Sequence, residues 1–220
     1  MRAVLVVKNG VEILDVETPS PKKNEVLVKV FSCGLNRADL MVADGGAHGS
    51  SGGSGTIVGM EFSGEVVEFG SEVNGLKIGD RVMCSGSSAW AEYAITDWGR
   101  VIKIPDNNMD FDTACTLPIA LGTMHNAIVT TGQFQKGQSI LIQGASSGVG
   151  LMGLQVAKYM EAKIVIGTST KSEKYSKLQE IGADFVVNSQ DLNWVEQVLD
   201  LTNGEGVDLI IDQLSGHTVN

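Results

Sequence analysis

The chain has few cysteines, little positive charge and no long apolar run. Its three cysteines, Cys33, Cys84 and Cys115, lie far apart in 220 residues, a pattern that indicates reduced, buried thiols rather than a disulfide framework. The apolar N-terminal run ends at Lys8 and is too short for a signal peptide or a membrane span. We therefore expect a cytoplasmic protein that does not bind membranes.

Positive charge is scarce, because 16 lysines and arginines face 26 aspartates and glutamates, which gives a net charge of −10. Non-specific binding to nucleic acid or to an anionic membrane needs a basic face, so this balance argues against both. Any anionic ligand must therefore meet local positive charge. The hydrophobic content of 43% and the length are typical of a soluble globular chain with two domains.

The residue pattern of the chain changes once, at about residue 116. Short runs rich in valine and isoleucine fill residues 1–116 and predict a mostly-β, barrel-like domain. Residues 117–220 alternate helical and strand patterns, which predicts an α/β domain with βαβ units on a parallel sheet. The predicted strands are residues 3–8, 11–16, 25–31, 65–69, 81–84, 91–96, 101–104, 139–143, 163–167, 185–187 and 207–212, and the predicted helices are residues 117–131, 149–159, 172–181 and 194–202.

One predicted helix, residues 149–159, has an apolar stripe. Its apolar residues recur at three- and four-residue spacing, so we expect one side of the helix to face the sheet. The residues predicted to face the sheet are Val149, Met152, Val156 and Tyr159.

The most informative segment reads SILIQGASSGVG, from Ser139 to Gly150. An apolar strand leads into a turn of small residues and then into a helix, the arrangement that places backbone N–H groups and a helix N-terminus against a pyrophosphate. It predicts a bound dinucleotide, with a structural tight turn in another kind of α/β domain as the alternative. Gly150 would allow the helix to pack closely on the strand, and the Ser147 hydroxyl would be free to meet a phosphate. The predicted binding residues are Gly144, Ala145, Ser146, Ser147, Gly148, Val149 and Gly150.

The end of the next strand bears on which dinucleotide binds. An NAD site usually carries Asp or Glu there for the ribose 2′-hydroxyl, whereas this chain has hydroxyls and lysines, which suit a 2′-phosphate. We therefore expect NADP, while the lysines also fit an ordinary solvated helix face. The predicted phosphate ligands are Thr168, Ser169, Thr170, Lys171 and Lys174.

Short motifs follow one another along nearly the whole chain. They are GLNRAD at 34–39, GMEFSGEV at 59–66, GDRV at 79–82, AEYA at 91–94, Leu117-Pro118 with Thr123, the glycine turn, and GAD at 182–184. In this order they resemble the medium-chain dehydrogenase/reductase superfamily, and specifically its zinc-free quinone oxidoreductase branch, which includes zeta-crystallin. The resemblance implies a GroES-like domain followed by a Rossmann domain, with the active site in the cleft between them.

The resemblance also implies which residues lie near the nicotinamide. Asn36 and Thr123 would line that end of the cofactor, with the Asn36 amide as a donor toward the carboxamide or the acceptor oxygen, and Tyr93 would close over the site. Each has a structural alternative. Asn36 is also typical of a turn residue, Thr123 of a helix residue bonded to its own turn, and Tyr93 of a core residue. His125, which stands where many relatives have tyrosine, is expected to pack in its helix, with proton delivery as the alternative.

The resemblance implies chemistry without a metal. Zinc-dependent relatives hold their catalytic metal with a cysteine and a histidine at the positions of Asn36 and Met60, and an amide and a thioether cannot form such a site. We expect hydride transfer from NADPH to a small-molecule quinone or α,β-unsaturated carbonyl, which needs position more than acid–base groups. The alternative is an NADPH-binding protein with a structural or sensing role and little or no turnover.

Three departures from the family pattern qualify these expectations. Ser147 stands where many relatives have glycine. Gly45 to Gly55 is a flexible Gly/Ser-rich tract, similar to a designed linker, at a loop that shapes the acceptor pocket in the family. The chain also stops after its fourth predicted parallel strand, so we expect a fragment with weakened cofactor affinity and low activity. The homodimer expected of the full-length form depends on strands beyond residue 220.

Overall fold

The structure is a computed structural model that describes residues 1–49, 51–105 and 108–214. The chain divides into two compact units, the first comprising Met1–Ile119 and the second beginning at Ala120. The domain limits that the sequence suggests, 1–116 and 117–220, stay a prediction. In the described ranges, every helix is too short or too polar to cross a membrane.

The first unit is built on antiparallel β-structure. Strands β1 (Arg2–Val7) and β2 (Gly10–Asp15) pair with each other. A five-stranded sheet has the order β8-β3-β6-β7-β9. Its strands are β3 (Glu25–Cys33), β6 (Glu61–Phe69), β7 (Arg81–Ser85), β8 (Tyr93–Asp97) and β9 (Val101–Lys103). The prediction of a mostly-β domain is therefore confirmed.

The core of this sheet comes from side chains that alternate along its strands. Val26 and Val28 on β3 and Phe62 and Val66 on β6 are almost completely buried, and Val82 of β7 packs with them. The alternation follows from the two-residue period of a strand, which places every second side chain on the same face of the sheet. This face forms the larger apolar core of the unit.

Two short helices and a small hairpin of the first unit have no counterpart in the sequence prediction. The helices are α1 (Arg37–Ala43) and α2 (Phe111–Ala114). Within the Gly/Ser-rich tract, β4 (Ala47–His48) pairs with β5 (Ser51–Gly52). The sequence predicts a flexible loop there, because glycine and serine carry no strand pattern.

The second unit contains four parallel strands in the order β12-β11-β10-β13. They are β10 (Ser139–Ile142), β11 (Ile164–Thr168), β12 (Phe185–Val187) and β13 (Leu209–Ile211). The helices are α3 (Pro118–Met124), which starts at the end of the first unit, then α4 (Gly148–Tyr159), α5 (Tyr175–Ile181) and α6 (Trp194–Leu201). The predicted α/β domain with a parallel sheet is confirmed.

Two of the predicted helices are less regular than the sequence suggests. The helix predicted at residues 117–131 continues after α3 as a π-helix, His125–Thr131, in which wider turns replace the usual four-residue repeat. The helix predicted from residue 172 opens with a 3₁₀ turn, Ser172–Lys174, before α5.

The predicted apolar face of α4 is confirmed in part, because Val149, Met152 and Val156 are partly buried against the core, but the prediction for Tyr159 was wrong. Tyr159 is 88% exposed, and the fully buried positions are Gly150, Gly153, Leu154 and Ala157. A Cβ at Gly153 would lie 3.1 Å from the Met124 Sδ atom and 3.2 Å from Ile142 Cδ1. The helix therefore approaches the sheet through glycines, which a search for apolar side chains does not detect.

Candidate functional site

The glycine turn after β10 is held in place by the end of β11. Gly144 has a φ of +64°, a conformation that favours glycine. Its N–H donates to the Thr168 hydroxyl at 3.0 Å, and the N–H of Ala145 donates to the Thr168 carbonyl, also at 3.0 Å. Thr168 is completely buried, so its hydroxyl shapes the turn and is not available to a ligand.

Ser147 caps α4, and both hydrogen-bonding directions of its hydroxyl are used. The hydroxyl accepts a hydrogen bond from the N–H of Gly150 at 3.0 Å and donates one to the Gly144 carbonyl at 2.9 Å. The expectation that this hydroxyl is free to meet a phosphate was therefore wrong. A serine at an N-cap bonds the backbone of the first helical turn, which is its usual role.

Three backbone N–H groups at the start of α4 have no acceptor among the described residues. They belong to Ser146, Gly148 and Val149. An α-helix leaves its first N–H groups without partners and carries partial positive charge at that end. The turn therefore presents a ready anion site of the kind that binds phosphate groups.

The two glycines at the start of α4 have different surroundings. A Cβ at Gly148 would meet no atom within 4 Å, whereas one at Gly150 would lie 2.5 Å from the Gly144 carbonyl oxygen. Gly150 is thus required for the helix to pack against the turn. Gly148 borders open space beside the free N–H groups, and this space suits the approach of a pyrophosphate.

Residues after β11 divide into buried and exposed groups. Ser169 is 4% exposed, and its hydroxyl accepts a hydrogen bond from the N–H of Lys171 at 3.3 Å. Thr170, Lys171 and Lys174 are exposed. Lys177, one turn further along, forms an ion pair with Glu180 at 2.9 Å. Of the predicted phosphate ligands, only Thr170, Lys171 and Lys174 therefore have side chains that reach solvent.

In the first unit, Asn36 is bound to a buried carboxylate. It caps α1 and forms a capping box with Asp39, whose Oδ2 accepts the Asn36 backbone N–H at 2.8 Å. The side-chain nitrogen of Asn36 donates to Oε1 of Glu61 at 2.8 Å. The other carboxylate oxygen of Glu61 accepts the N–H of Ile119 at 2.9 Å. Asn36 therefore joins a helix start to a carboxylate that is only 3% exposed.

Burial dominates the electrostatics of this cluster. Desolvation raises the pKa of Glu61, although hydrogen bonds from Ile119 and Asn36 oppose the shift. Desolvation likewise raises the pKa of Asp39, against the hydrogen bonds from Asn36. Cys115 lies close enough for burial and nearby acidic groups to raise its pKa to about 11. Neutral pH therefore leaves this thiol protonated.

The remaining predicted site residues lie in different places. Tyr93 is half-buried and lines a cavity of about 850 Å³ in the first unit, together with Asp39, His48 and Met60.

Thr123 lies on α3 and is exposed, as is His125 at the start of the π-helix. In the described part of the chain, the Thr123 hydroxyl makes no hydrogen bond to its own turn. The Gly144–Gly150 residues meet at the start of α4, and Asn36 and Asp39 meet at the start of α1.

Comparison with known proteins identifies the family. Two family models match: the alcohol dehydrogenase GroES-like domain over residues 22–106, and the zinc-binding dehydrogenase over residues 148–220. The quinone oxidoreductase of Homo sapiens is 31% identical over 222 residues, which cover 98% of this chain and 67% of that protein. The quinone oxidoreductase of Pongo abelii is 30% identical, and the chain covers 68% of it. The chain belongs to the quinone oxidoreductase branch of the medium-chain dehydrogenase/reductases.

Solved structures agree with this assignment. A quinone oxidoreductase from Pseudomonas syringae superimposes with a TM-score of 0.88 at 26% identity, and CurK enoyl reductase with 0.90 at 25%. A mycobacterial protein solved in complex with NADPH gives 0.86 at 26%. Each comparison covers 99% of this chain and 68% of the other chain. The family resemblance inferred from the motifs is therefore confirmed.

Larger proteins also match this chain. A phenolphthiocerol/phthiocerol polyketide synthase from Mycobacterium tuberculosis is 29% identical over 211 residues, which cover 96% of this chain and 10% of that protein. The chain thus spans about a tenth of such synthases and about two thirds of the quinone oxidoreductases.

Sequence reasoning missed Glu61 as a residue of the candidate site. The residue lies inside the GMEFSGEV motif, but it was used there only to identify the family. The available signal was a carboxylate next to the apolar start of a strand, where a charge is rarely buried without a partner. Its partner, the Asn36 amide, lies 25 residues away in sequence, and spacing alone does not reveal such a contact.

The donor atoms at positions 36 and 60 do not suit zinc. Asn36 and Met60 supply an amide and a thioether, and zinc prefers thiolate, imidazole and carboxylate ligands. Across residues 1–49, 51–105 and 108–214, no three histidine, cysteine, aspartate or glutamate side chains come together as a metal site.

The two glycines of α4 provide a test of the turn. We expect Gly150→Ala to lower the free energy of unfolding by about 1–3 kcal/mol, because its methyl group would overlap the Gly144 carbonyl. Gly148→Ala adds the same methyl group in open space and serves as the matched control. Thermal denaturation of both variants checks this, and equal melting temperatures would contradict the close packing at Gly150.

The buried carboxylate of Glu61 gives a pH-dependent prediction. Since the folded-state pKa is raised, Glu61 favours the folded chain below its unfolded pKa, and this contribution is lost as the pH rises through the folded pKa. Glu61→Gln removes that charge while Asp39 and Cys115 stay in both proteins. We expect the melting temperature of the variant, relative to the unmodified chain, to rise as the pH increases from about 4.5, the unfolded pKa, through the folded pKa. A difference that is constant or falls over this range would show that burial does not dominate.

Proposed function

We propose that this chain is the NADPH-binding and acceptor-binding part of an oxidoreductase that transfers hydride to a quinone or an α,β-unsaturated carbonyl. The observation that supports it most directly is the set of N–H groups of Ser146, Gly148 and Val149 at the start of α4, for which the described residues supply no acceptor. They stand at the end of a parallel sheet, where dinucleotides bind in α/β folds. The chain's net charge of −10 makes such a local anion site all the more necessary.

The choice of NADPH over NADH depends on the exposed residues after β11. Thr170, Lys171 and Lys174 offer a hydroxyl and two ammonium groups, which suit a 2′-phosphate. No aspartate or glutamate directly follows this strand to bind a ribose hydroxyl. The mycobacterial relative solved with NADPH supports the same assignment.

The bound cofactor would supply a hydride at the nicotinamide ring. The chain would then bind and orient the acceptor, with Asn36, Thr123 and Tyr93 near the reacting groups. A quinone or enone is already electrophilic, and the negative charge that develops passes to its carbonyl oxygen. Position is therefore the main requirement, and no strong acid is needed to start the reaction. The enoyl reductase and quinone oxidoreductase relatives support these two classes of acceptor.

We propose that the reaction needs no metal. Zinc relatives polarise an alcohol oxygen with their metal, and an acceptor that is already electrophilic does not require this. Asn36 and Met60 stand at the positions of two zinc ligands and lack the donor chemistry for that role.

Oxidation of NADPH tests the proposal directly. The purified chain is mixed with NADPH and a panel of quinones, enones and enals, and absorbance at the reduced-nicotinamide band is followed, with NADH as the control. We expect acceptor-dependent oxidation that is faster with NADPH than with NADH and is unaffected by a zinc chelator. Binding of NADPH without oxidation by any acceptor would favour a structural or sensing role, and absence of binding by folded protein would contradict the proposal.

The two lysines provide the cofactor test. We expect the double variant Lys171→Ala, Lys174→Ala to weaken NADPH binding by about tenfold or more, since it removes charge-assisted bonds to the 2′-phosphate. Affinity for NADH should stay the same. Lys177→Ala, whose ammonium group is paired with Glu180, is the matched control. Equal losses of NADPH and NADH affinity in the double variant would count against a role in selectivity.

A further inference from the structure

The orientation of the Asn36 side-chain amide follows from its hydrogen bond to Glu61. Its nitrogen donates to Oε1 of Glu61 at 2.8 Å. An ionised carboxylate only accepts hydrogen bonds, so the NH₂ end of the amide must face Glu61. Because the amide is planar, its oxygen lies on the side away from that carboxylate.

Glu61 itself has little freedom to move. Its second oxygen holds the N–H of Ile119 at 2.9 Å, and the residue is 3% exposed. A Cβ at Gly34 would lie 2.4 Å from Oε1, so the backbone of that glycine closes the space beside the carboxylate. Rotation of the carboxylate would leave the Ile119 N–H without its partner, a costly change in a buried place.

The backbone of Asn36 is fixed as well. Its N–H donates to Asp39 at 2.8 Å, and its φ of −116° and ψ of 154° are those of a helix N-cap. The remaining freedom of the residue is a half-turn of the amide that exchanges oxygen and nitrogen. The contact of the amide nitrogen with Glu61 and the capping-box contact of the amide oxygen with the Asp39 N–H favour the same one of these two orientations.

We propose that Glu61 is a positioning residue that presents Asn36 to the nicotinamide end of the site as a hydrogen-bond acceptor, with its NH₂ group held inward. An amide oxygen has two lone pairs, so the capping box leaves one for a ligand. An acceptor at this place suits the NH₂ group of the nicotinamide carboxamide. It does not suit the carbonyl oxygen of a quinone or enone. This inference rests on the proposed function, and it reverses the direction of the bond that the sequence suggested for Asn36.

The substitution Glu61→Gln is expected to reverse the direction of the hydrogen bond between residues 61 and 36, and it leaves the size of the side chain at position 61 almost unchanged. The single side-chain oxygen of the glutamine is needed by the Ile119 N–H, so its NH₂ group faces Asn36. Asn36 must then turn its own oxygen inward and present NH₂ outward. We expect kcat for NADPH oxidation to fall by about tenfold, the equivalent of one lost hydrogen bond, while Kd for NADPH changes much less. The phosphate contacts made elsewhere would maintain that affinity.

A second substitution, at position 36, distinguishes a change in the orientation of the amide from a general loss of folded structure. In the double variant Glu61→Gln, Asn36→Asp, one carboxylate oxygen at position 36 accepts from Gln at 61 and the other faces outward as an acceptor. We expect the double variant to recover most of the lost kcat. Glu65→Gln is the matched control, because Glu65 lies on the same strand and its side chain makes no hydrogen bond among the described residues. Equal impairment of the single and double variants, or an unchanged kcat in Glu61→Gln, would overturn the proposal.

A nuclear magnetic resonance measurement reads the orientation without turnover. The Asn36 side-chain amide is assigned in the unmodified chain by the signal that disappears in Asn36→Asp. Bonding to a carboxylate should move one of its two proton resonances downfield and slow its exchange with solvent, and Glu61→Gln should remove both effects. Rapid exchange of both protons in the unmodified chain would overturn the proposal even if the glutamine variant fails to fold. Failure of the proposed function shows itself separately, as absence of NADPH binding and oxidation by the unmodified chain.

Discussion

A backbone N–H removed from solvent needs an acceptor, and the glycine turn after β10 depends on acceptors that neighbouring residues supply. The end of β11 supplies acceptors for Gly144 and Ala145 through both oxygens of Thr168. The Ser147 hydroxyl supplies the acceptor for Gly150. These bonds keep the turn in a shape that leaves the next N–H groups aimed at open space. The side chains of the turn are thus used to build a candidate anion site that is lined by main-chain N–H groups.

The sequence predicted the parts of the fold that depend on repeated patterns. The parallel strands and the helices between them follow from long apolar periodicities, and their observed limits differ by only a few residues. Helix α1 has seven residues, too few for a helical period to stand out against a turn motif. The buried face of α4 was misjudged in part because its contact surface consists partly of Gly150 and Gly153. Periodicity counts apolar side chains, and a glycine contact has none.

The site was predictable where its chemistry belongs to the backbone. A turn of glycines and small residues after a strand indicates N–H groups directed at phosphate, whichever side chains surround it. The roles of Thr168, Ser147 and Glu61 depend on hydrogen bonds to partners that the fold brings near, and spacing along the chain does not contain that information. The hydroxyls of Thr168 and Ser147 were assigned to a ligand because serine and threonine serve ligands and caps equally well. The hydrogen bonds that each hydroxyl makes separate the two uses, and those bonds are known only after folding.

The cluster at Glu61 shows how a protein can accept a loss of stability to fix one bond direction. Burial raises the pKa of this carboxyl group, so the ionised form costs free energy relative to a neutral side chain of the same shape. A glutamine would satisfy the Ile119 N–H equally well, so that bond alone does not explain an acid. What a carboxylate adds is the absence of any N–H of its own, which forces the Asn36 nitrogen inward. The reaction proposed for this chain depends on position more than on acid–base groups, so it would gain from such a constraint: under that proposal, a misoriented Asn36 amide would weaken alignment without affecting the binding of the phosphates.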